Sequence, residues 1–394
     1  MKKQQKSPWK ALATALLMGG AGALFGFYGI TLIKSYLPLQ WFAPQSAGEK
    51  IGIIALGFFA VWFSIAIHEL GHLGAGLAQG FRVALYTAGV LGVRGKERGV
   101  RFFFNRQVSL MGGVAATFPE QLESGPELRR KFVRIVAAGP LSSLLLSAVA
   151  LLALYFILQR PADTPSLAAR FSVFFLLITG LVSGVIFLAT MIPSSGGGFM
   201  SDGARLLSLL NGGEKSRYEE ATLSIMALLG AGKLPGEYPV DLLERLMTRS
   251  PDSLLGLNGH FVAFTHYFDR GDTERALPLA HLIQDHIAAA PPAFQAYYLK
   301  DVAFFHAFFA GDTEAARNCW EDIRKQAERD PDPGTFRVKA ILALLDGQPE
   351  AAEDLVQKGL AKITELPFEG QRRFEEKWLR IVLEKVGRQQ TAVH

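Results

Sequence analysis

Long apolar runs dominate the first half of the chain, whereas amphipathic segments separated by polar turns make up the second half. Four runs are long and apolar enough to cross a bilayer: residues 9–37, 51–78, 133–158 and 171–191. Between the second and third runs, residues 81–104 alternate apolar and polar side chains around glycines, which predicts short strands in a small β-hairpin element. The pattern therefore predicts a mainly α, multi-pass membrane protein with four transmembrane helices, followed by a soluble α-helical repeat domain.

The second half contains a repeated motif. The segment HYFDRGDTERAL begins at His266, HAFFAGDTEAAR begins at His306, and LLDGQPEAAEDL follows them. Each segment reads as a helix, a glycine-containing turn and a second helix, which is typical of stacked helix pairs. Gly311 and Gly347 lie 36 residues apart, close to the period of about 34 residues in tetratricopeptide repeats. We therefore predict tetratricopeptide-like repeats, which either bind a partner in a concave face or serve as a regulatory or stabilising cap.

These patterns divide the chain into four parts. Residues 1–47 hold an N-terminal flank and the first transmembrane helix, 48–210 a membrane core, 211–255 a helical linker and 256–394 the helical repeats. Lysine and arginine are abundant before the first run and in the loop between the second and third runs, and rare in the other two loops. The positive-inside rule then places both termini, the long loop and the repeats in the cytoplasm, with the helices in the cell (inner) membrane.

Composition excludes several classes of protein. The chain is 49% hydrophobic and 20% charged with a single cysteine, Cys319, so it is neither disordered nor held together by intramolecular disulfides. Its net charge of +5 comes from basic residues beside the apolar runs, which favours a lipid bilayer and argues against nucleic acid as a partner. A signal peptide is the alternative for the first run, but that run exceeds the apolar length of about 7–15 residues found in such peptides.

The second run contains the motif H-E-x-x-H, formed by His68, Glu69 and His72. Positions i and i+4 share a face of a helix, so both imidazoles can reach one metal ion while the carboxylate lies beside it. Zinc suits nitrogen and oxygen ligands in a tetrahedral arrangement that leaves one position for water. Three ionisable groups in an apolar run are costly without a partner, which favours a functional site over an incidental match.

A zinc ion held by two histidines needs a third protein ligand, and Asp202 is the candidate. After the fourth run, Pro193 and the glycines at 196–198 break the helix, and Asp202 with Gly203 opens a new one. Aspartate at a helix start is ordinarily a cap. Here the two histidines lack a ligand and the spans contain no other acidic group, so we predict one zinc ion per chain, bound by His68, His72 and Asp202.

Several of these motifs together resemble the site-2 protease family of intramembrane zinc metalloproteases. They are HELGH in one apolar run, AAGPLSSLLLSA with Gly139 and Pro140 in the next, and MIP followed by SDG downstream, over residues 51–210. By position, the resemblance implies the same zinc ligands that the residues predict without it, and it gives Glu69 the role of catalytic base. It further implies a zinc-dependent endopeptidase that cuts membrane-spanning protein substrates in or near their transmembrane segments, as in regulated intramembrane proteolysis.

The sequence departs from the family pattern at two places. Thr190 stands three residues before Pro193, where members commonly have Asn, and the nine positions from Pro193 to Asp202 are a longer reach than usual. Ser142 or Ser143 occupies a position after Gly-Pro that is often Asn. The sequence shows no inserted segment shaped like a PDZ domain, so the C-terminal repeats are the candidate for binding a protein regulator or the substrate tail.

Three alternatives belong to other functional classes. A catalytically silent membrane scaffold of the same fold would bind partners through its repeats, but it would not need Glu69 beside a metal. An ion transporter would place acidic groups and histidines along several helices, and the third run has none. A soluble zinc protease on a single anchor does not fit the apolar sequence on both sides of His68.

Overall fold

The computed structural model describes residues 44, 46–106, 111–120, 125–159, 165–196 and 199–393. In these residues the chain is mainly helical with a small antiparallel sheet, as the sequence predicts. The first predicted transmembrane run, residues 9–37, lies outside the described residues and stays a prediction. The chain divides into two compact units, one made of residues up to 63 with 146–182, the other of 64–145 with 183–394.

Three helices of the described part are long and apolar enough to cross a membrane. They are α1 (Ala47–Ala78), α2 (Gly125–Leu158) and α3 (Leu167–Met191), with 32, 34 and 25 residues. Each begins before the apolar run that predicted it, because the helix continues through polar residues at its N-terminal end. Pro140 lies inside α2. Three predicted spans are therefore helices, and the chain is an integral membrane protein.

The first unit contains the packed N-terminal half of α1 with parts of α2 and α3. Phe175 of α3 lies 5.9 Å from Phe59 and 5.8 Å from Phe63 between ring centroids. A buried ion pair joins Arg170 Nη2 to Glu49 Oε1 at 2.8 Å. Because both charges are nearly inaccessible, each depends on the other for compensation in apolar surroundings.

The second unit contains a four-stranded antiparallel sheet made of β1 (Phe81–Ala88), β2 (Leu91–Gly95), β3 (Val100–Phe104) and β4 (Val114–Pro119). The strand order is β3-β2-β1-β4, so β4 is an edge strand. The predicted hairpin is confirmed, and β4 lies beyond the segment predicted to form strands. One face of the sheet packs against α1, where the Tyr86 hydroxyl donates to the Ala66 carbonyl at 3.1 Å.

The segment after α3 leads into the helices of the second unit. A minimal hairpin, β5 (Ser195–Gly196) with β6 (Phe199–Met200), precedes the first of them. The helices are α4 (Asp202–Asn211), α5 (Gly213–Gly230), α6 (Val240–Met247), α7 (Leu254–Asp269), α8 (Thr273–Asp285), α9 (Pro292–Phe305), α10 (Thr313–Ala327), α11 (Pro333–Leu345), α12 (Pro349–Ala361) and α13 (Glu369–Val393).

The C-terminal helices pack as three consecutive pairs, α7 with α8, α9 with α10 and α11 with α12, and α13 packs against the last pair. The turns within the pairs contain Gly271, Gly311 and Gly347, whose φ angles of 71°, 66° and 71° favour glycine. Phe304 and Phe305 are buried in the core of these helices, and Phe308 and Phe309 pack against that core. The assignment of these helix pairs to tetratricopeptide-like repeats stays a prediction.

Arg337 provides a stability test for the C-terminal helices. Its side chain is fully buried, its Nε donates to Glu375 Oε2 at 2.8 Å, and a second guanidinium nitrogen pairs with Asp301. The substitution Arg337→Met leaves two carboxylates without their cation, so we expect the free energy of unfolding to fall by about 3–5 kcal/mol. Denaturant unfolding of the purified chain, followed by far-ultraviolet circular dichroism, measures this loss.

The matched control is Arg324→Met, because Arg324 forms an ion pair with Glu321 in which both side chains are more than half exposed. Such a pair contributes about 0–1 kcal/mol, so the control should unfold almost like the wild type. Equal losses in the two variants would contradict the structural role of the buried cluster.

Candidate metal centre

Helix α1 brings the H-E-x-x-H side chains together. His68 and His72 are one turn apart, and their rings lie edge to face with centroids 5.0 Å apart. His68 is 5% exposed and Glu69 is 9% exposed, so both are buried within a helix that is long and apolar enough to span a membrane. The helical period therefore places these three ionisable groups beside one another in apolar surroundings.

Asp202, the first residue of α4, lies beside the two histidines. Its Oδ2 lies 3.3 Å from His68 Nε2 and 3.5 Å from His72 Nε2. The helix cap at this point is Ser201, whose hydroxyl accepts a hydrogen bond from the Ala204 amide. Because Ser201 performs the capping role, the Asp202 carboxylate is available to the histidines, and the ordinary explanation of this aspartate as a cap is wrong.

The three side chains fit a zinc ion by the chemistry of their donor atoms. One ligand atom from each of His68, His72 and Asp202 lies within 4.8 Å of the others, and in the described part of the chain this is the only group of three or more His, Cys, Asp and Glu residues so arranged. Two imidazole nitrogens and one carboxylate oxygen are the donor set of a catalytic zinc site with an open fourth position.

Hydrogen bonds to the far nitrogens of the histidines orient both rings. His72 Nδ1 lies 2.8 Å from the Ile135 carbonyl oxygen, and His68 Nδ1 lies 2.9 Å from Ser143 Oγ. A carbonyl only accepts, so Nδ1 of His72 carries a proton, and Nε2 is the ring nitrogen directed toward Asp202. Such outer hydrogen bonds are a regular feature of histidines that bind metal ions.

The Asp202 carboxylate is ionised at neutral pH. Burial alone raises the pKa of this group, but hydrogen bonds and charge interactions with His68 and His72 outweigh burial and lower the pKa to about 2. An ionised carboxylate is the form that binds a cation, so the group needs no deprotonation near neutral pH.

Glu69 faces β4 and the turn before it. Its carboxylate accepts a hydrogen bond from the Ala115 backbone amide. Gly113, with a φ of 97°, lies so close that an added Cβ would be 2.6 Å from Glu69 Oε1. Sequence reasoning missed both contacts, although the Gly112-Gly113 pair signalled a backbone that needs the freedom of glycine.

Two glycines let α1 and α2 approach closely at the centre. A Cβ on Gly71 would meet Ser142 Oγ at 2.2 Å, and a Cβ on Gly139 would meet His72 Nε2 at 2.1 Å. Small residues allow this kind of close helix contact in membranes. The Gly139-Pro140 motif therefore has a physical explanation, since any side chain at 139 collides with a proposed ligand.

The positions that depart from the family pattern have different surroundings. Ser143 bonds to His68, whereas the Ser142 hydroxyl donates to the Ala138 carbonyl of its own helix at 2.7 Å. Thr190 likewise bonds to its own helix, through the Phe187 carbonyl at 3.4 Å. Of these three side chains, Ser143 is the one that contacts the candidate centre.

Gly139→Ala tests the close approach of α2. We expect zinc affinity to fall by about 10- to 100-fold, the loss found when groups around metal ligands are disturbed. Competition with a chromogenic chelator measures the affinity of the purified protein. Gly74→Ala is the matched control on α1, where an added Cβ has no neighbour within 4 Å. Equal affinities for the two variants would contradict the close approach of α2 to His72.

Asp202→Ala tests the third ligand. Elemental analysis after dialysis should show zinc falling from about one ion per chain to less than about half, because two histidines alone form an incomplete site. Glu214→Ala is the control, since Glu214 also lies in the first turn of a helix but is exposed. Full occupancy in Asp202→Ala would show that another group supplies the third ligand.

A family model described as peptidase family M50 matches residues 56–351, most of the chain. This family comprises zinc metalloproteases and includes the site-2 proteases, so the resemblance seen in the sequence is confirmed at the level of the family. Neither the curated proteins nor the solved structures gave a match. On the strength of the family match, this integral membrane protein belongs to peptidase family M50.

Proposed function

We propose that the protein is a zinc-dependent endopeptidase that hydrolyses peptide bonds in or near the transmembrane segments of other membrane proteins. The observation that carries this proposal is the convergence of Asp202 with His68 and His72 within 4.8 Å, where the two histidines and the adjacent Glu69 belong to a helix able to span a membrane. Membership of peptidase family M50 supports metal-dependent peptide hydrolysis as the chemistry.

Each residue has a distinct role in this proposal. His68, His72 and Asp202 hold the zinc ion, which supplies a Lewis acid for the scissile carbonyl and lowers the pKa of water. Glu69 accepts the proton from the attacking water and returns it to the leaving amine. The Ala115 amide and the backbone at Gly113 hold the Glu69 carboxylate in position for both transfers.

The edge strand β4 supplies a binding site for an extended substrate. It pairs with β1 on one side, and in the described sheet its other side carries no strand. A substrate helix that is partly unwound can add a strand there through backbone hydrogen bonds. Because Ala115 belongs to β4 and contacts Glu69, a substrate strand at this edge lies next to the catalytic base.

The remaining predictions about organisation form part of the same proposal. The membrane core at 48–210 performs the cleavage, and the tetratricopeptide-like region at 256–394 binds a protein regulator or the cytoplasmic tail of the substrate. Both termini lie in the cytoplasm and the helices in the cell (inner) membrane, as the distribution of lysine and arginine supports.

Glu69→Gln tests the proposed reaction. The amide keeps nearly the same size but cannot accept the proton, so we expect bound zinc to be retained and cleavage to fall by at least about 100-fold. New protein N-termini in membranes from cells with the wild type or the variant measure the difference, with attention to cuts in transmembrane segments.

Glu120→Gln is the control for that comparison, because Glu120 is an exposed carboxylate after β4. It should leave the set of new N-termini unchanged. If Glu69→Gln and the wild type gave identical N-termini under several stresses, the catalytically silent scaffold would replace the protease as the better explanation.

A further inference from the structure

A cavity lies on the face of the sheet that points away from α1. Its volume is about 670 Å³, within the range of about 300–1,000 Å³ found for ligand sites. Leu85 of β1 and Ala116 of β4 form its floor, and the loops and helices of the C-terminal part form its walls. The whole lining belongs to the second compact unit.

The walls are rich in aromatic side chains. Phe294, Tyr297, Tyr298 and Phe368 line the cavity together with leucines and prolines. Tyr297 is 50% exposed, so the cavity is accessible from solvent. Rigid aromatic side chains with hydroxyl groups bind peptide side chains at a small cost in conformational entropy, as they do in antibody loops.

The charges that line the cavity are paired, with one exception. Three carboxylates have cationic partners: Arg94 pairs with Asp330 at 3.4 Å, Arg101 pairs with Glu365 at 3.3 Å, and Lys300 pairs with Asp332. The remaining charged side chain of the lining is Lys96, which is partly buried. Among the described residues no carboxylate lies within ion-pair distance of its Nζ, so the cavity presents one uncompensated cation.

The positive charge of Lys96 is complementary to a ligand that carries a carboxylate. Asn258 and Gln371 also line the cavity, and each side-chain amide offers both a donor and an acceptor, the pair of groups that a peptide backbone requires. The chain's own residues 1–43 have the wrong charge for this site, since they contain lysines and no acidic residue. An acidic peptide segment of another protein is complementary to this lining.

We propose that this cavity binds a short peptide segment of a partner protein, in which an acidic residue lies next to aromatic or large aliphatic residues. The carboxylate pairs with Lys96, and the apolar side chains pack among Tyr297, Tyr298 and Phe368. This site is separate from the metal centre, because the two lie on opposite faces of the same sheet.

The sheet connects the cavity to the metal centre. Leu85 pairs with Ala116 on the cavity face, and the next pair in the register is Tyr86 with Ala115. The Tyr86 hydroxyl bonds to α1, and the Ala115 amide bonds to Glu69. A peptide that holds Leu85 and Ala116 therefore acts one residue away from both contacts, and this regulatory consequence rests on the proposed function.

The binding test uses the purified full-length chain carrying Glu69→Gln, so that bound peptides are not cleaved. We expect a random hexapeptide library to yield retained peptides enriched in Asp or Glu beside Phe, Tyr, Trp or Leu. Fluorescence anisotropy then gives the affinity of the most enriched peptide. Lys96→Glu should weaken it by at least about 10-fold through charge repulsion, and Asn258→Trp should weaken it by filling the cavity.

Lys215→Glu is the matched control, because it reverses an exposed charge on α5 away from the cavity. It should bind the peptide like the parent protein. No enrichment, enrichment of basic peptides, or equal affinity in Lys96→Glu and the parent protein would overturn the proposal. Bound fatty acid in the purified protein, displaced by the Asn258→Trp substitution, would also overturn it by assigning the cavity to a lipid.

Hydrogen exchange tests the connection through the sheet without measuring activity. The enriched peptide should slow exchange of the backbone amides of β4 at residues 114–118, and unchanged exchange would remove the regulatory consequence. Because binding is measured in the Glu69→Gln protein, the cavity proposal can fail while the protease is confirmed, and it can hold where no protease activity is found.

Discussion

The structure depends on placing two imidazoles and a carboxylate, all largely shielded from water, side by side in apolar surroundings. Such groups are stable there only if they compensate one another or bind a cation, because isolation from water is costly for each. Compensation requires three separate parts of the chain to meet within a few ångströms. Gly139 permits the approach of α2, and Gly203 permits the approach of Asp202, since an added Cβ at 203 would lie 1.9 Å from the Met191 carbonyl oxygen.

The same requirement explains how the chain accommodates its departures from the family pattern. The longer reach from Pro193 to Asp202 is taken up by the short β5–β6 hairpin, which returns the chain so that the Ser201 amide bonds to the Ser194 carbonyl at 3.0 Å. The Ser201 hydroxyl then donates to the Ile192 carbonyl at 2.8 Å and fixes the start of α4 against the end of α3. The extra residues thus form a structure that positions Asp202.

The sequence alone predicts those parts of the candidate site that follow from helical periodicity or from the cost of charge in an apolar run. The spacing of His68 and His72 predicts a shared helix face, and the lack of other acids in the spans identifies Asp202. The sequence does not predict the contacts made by the Ile135 carbonyl and the Ala115 amide. Every residue has a backbone carbonyl, nearly every residue has a backbone amide, and the side chains of Ile135 and Ala115 give no indication that their backbone groups are used. The cap at Ser201 was also missed, because Ser and Asp are both good N-caps and adjacent positions compete for that role.

A bulge in β1 determines which of its side chains face α1 and which face the cavity. The register shifts between Val83, which pairs with Thr117, and Leu85, which pairs with Ala116, so Ala84 is an extra residue. A bulge of this kind reverses the alternation of side chains beyond it. Tyr86 therefore points toward α1, and Ala84 and Leu85 both line the cavity. Without the extra residue, Tyr86 would face the cavity and the sheet would lose its hydrogen bond to the helix that carries the metal ligands.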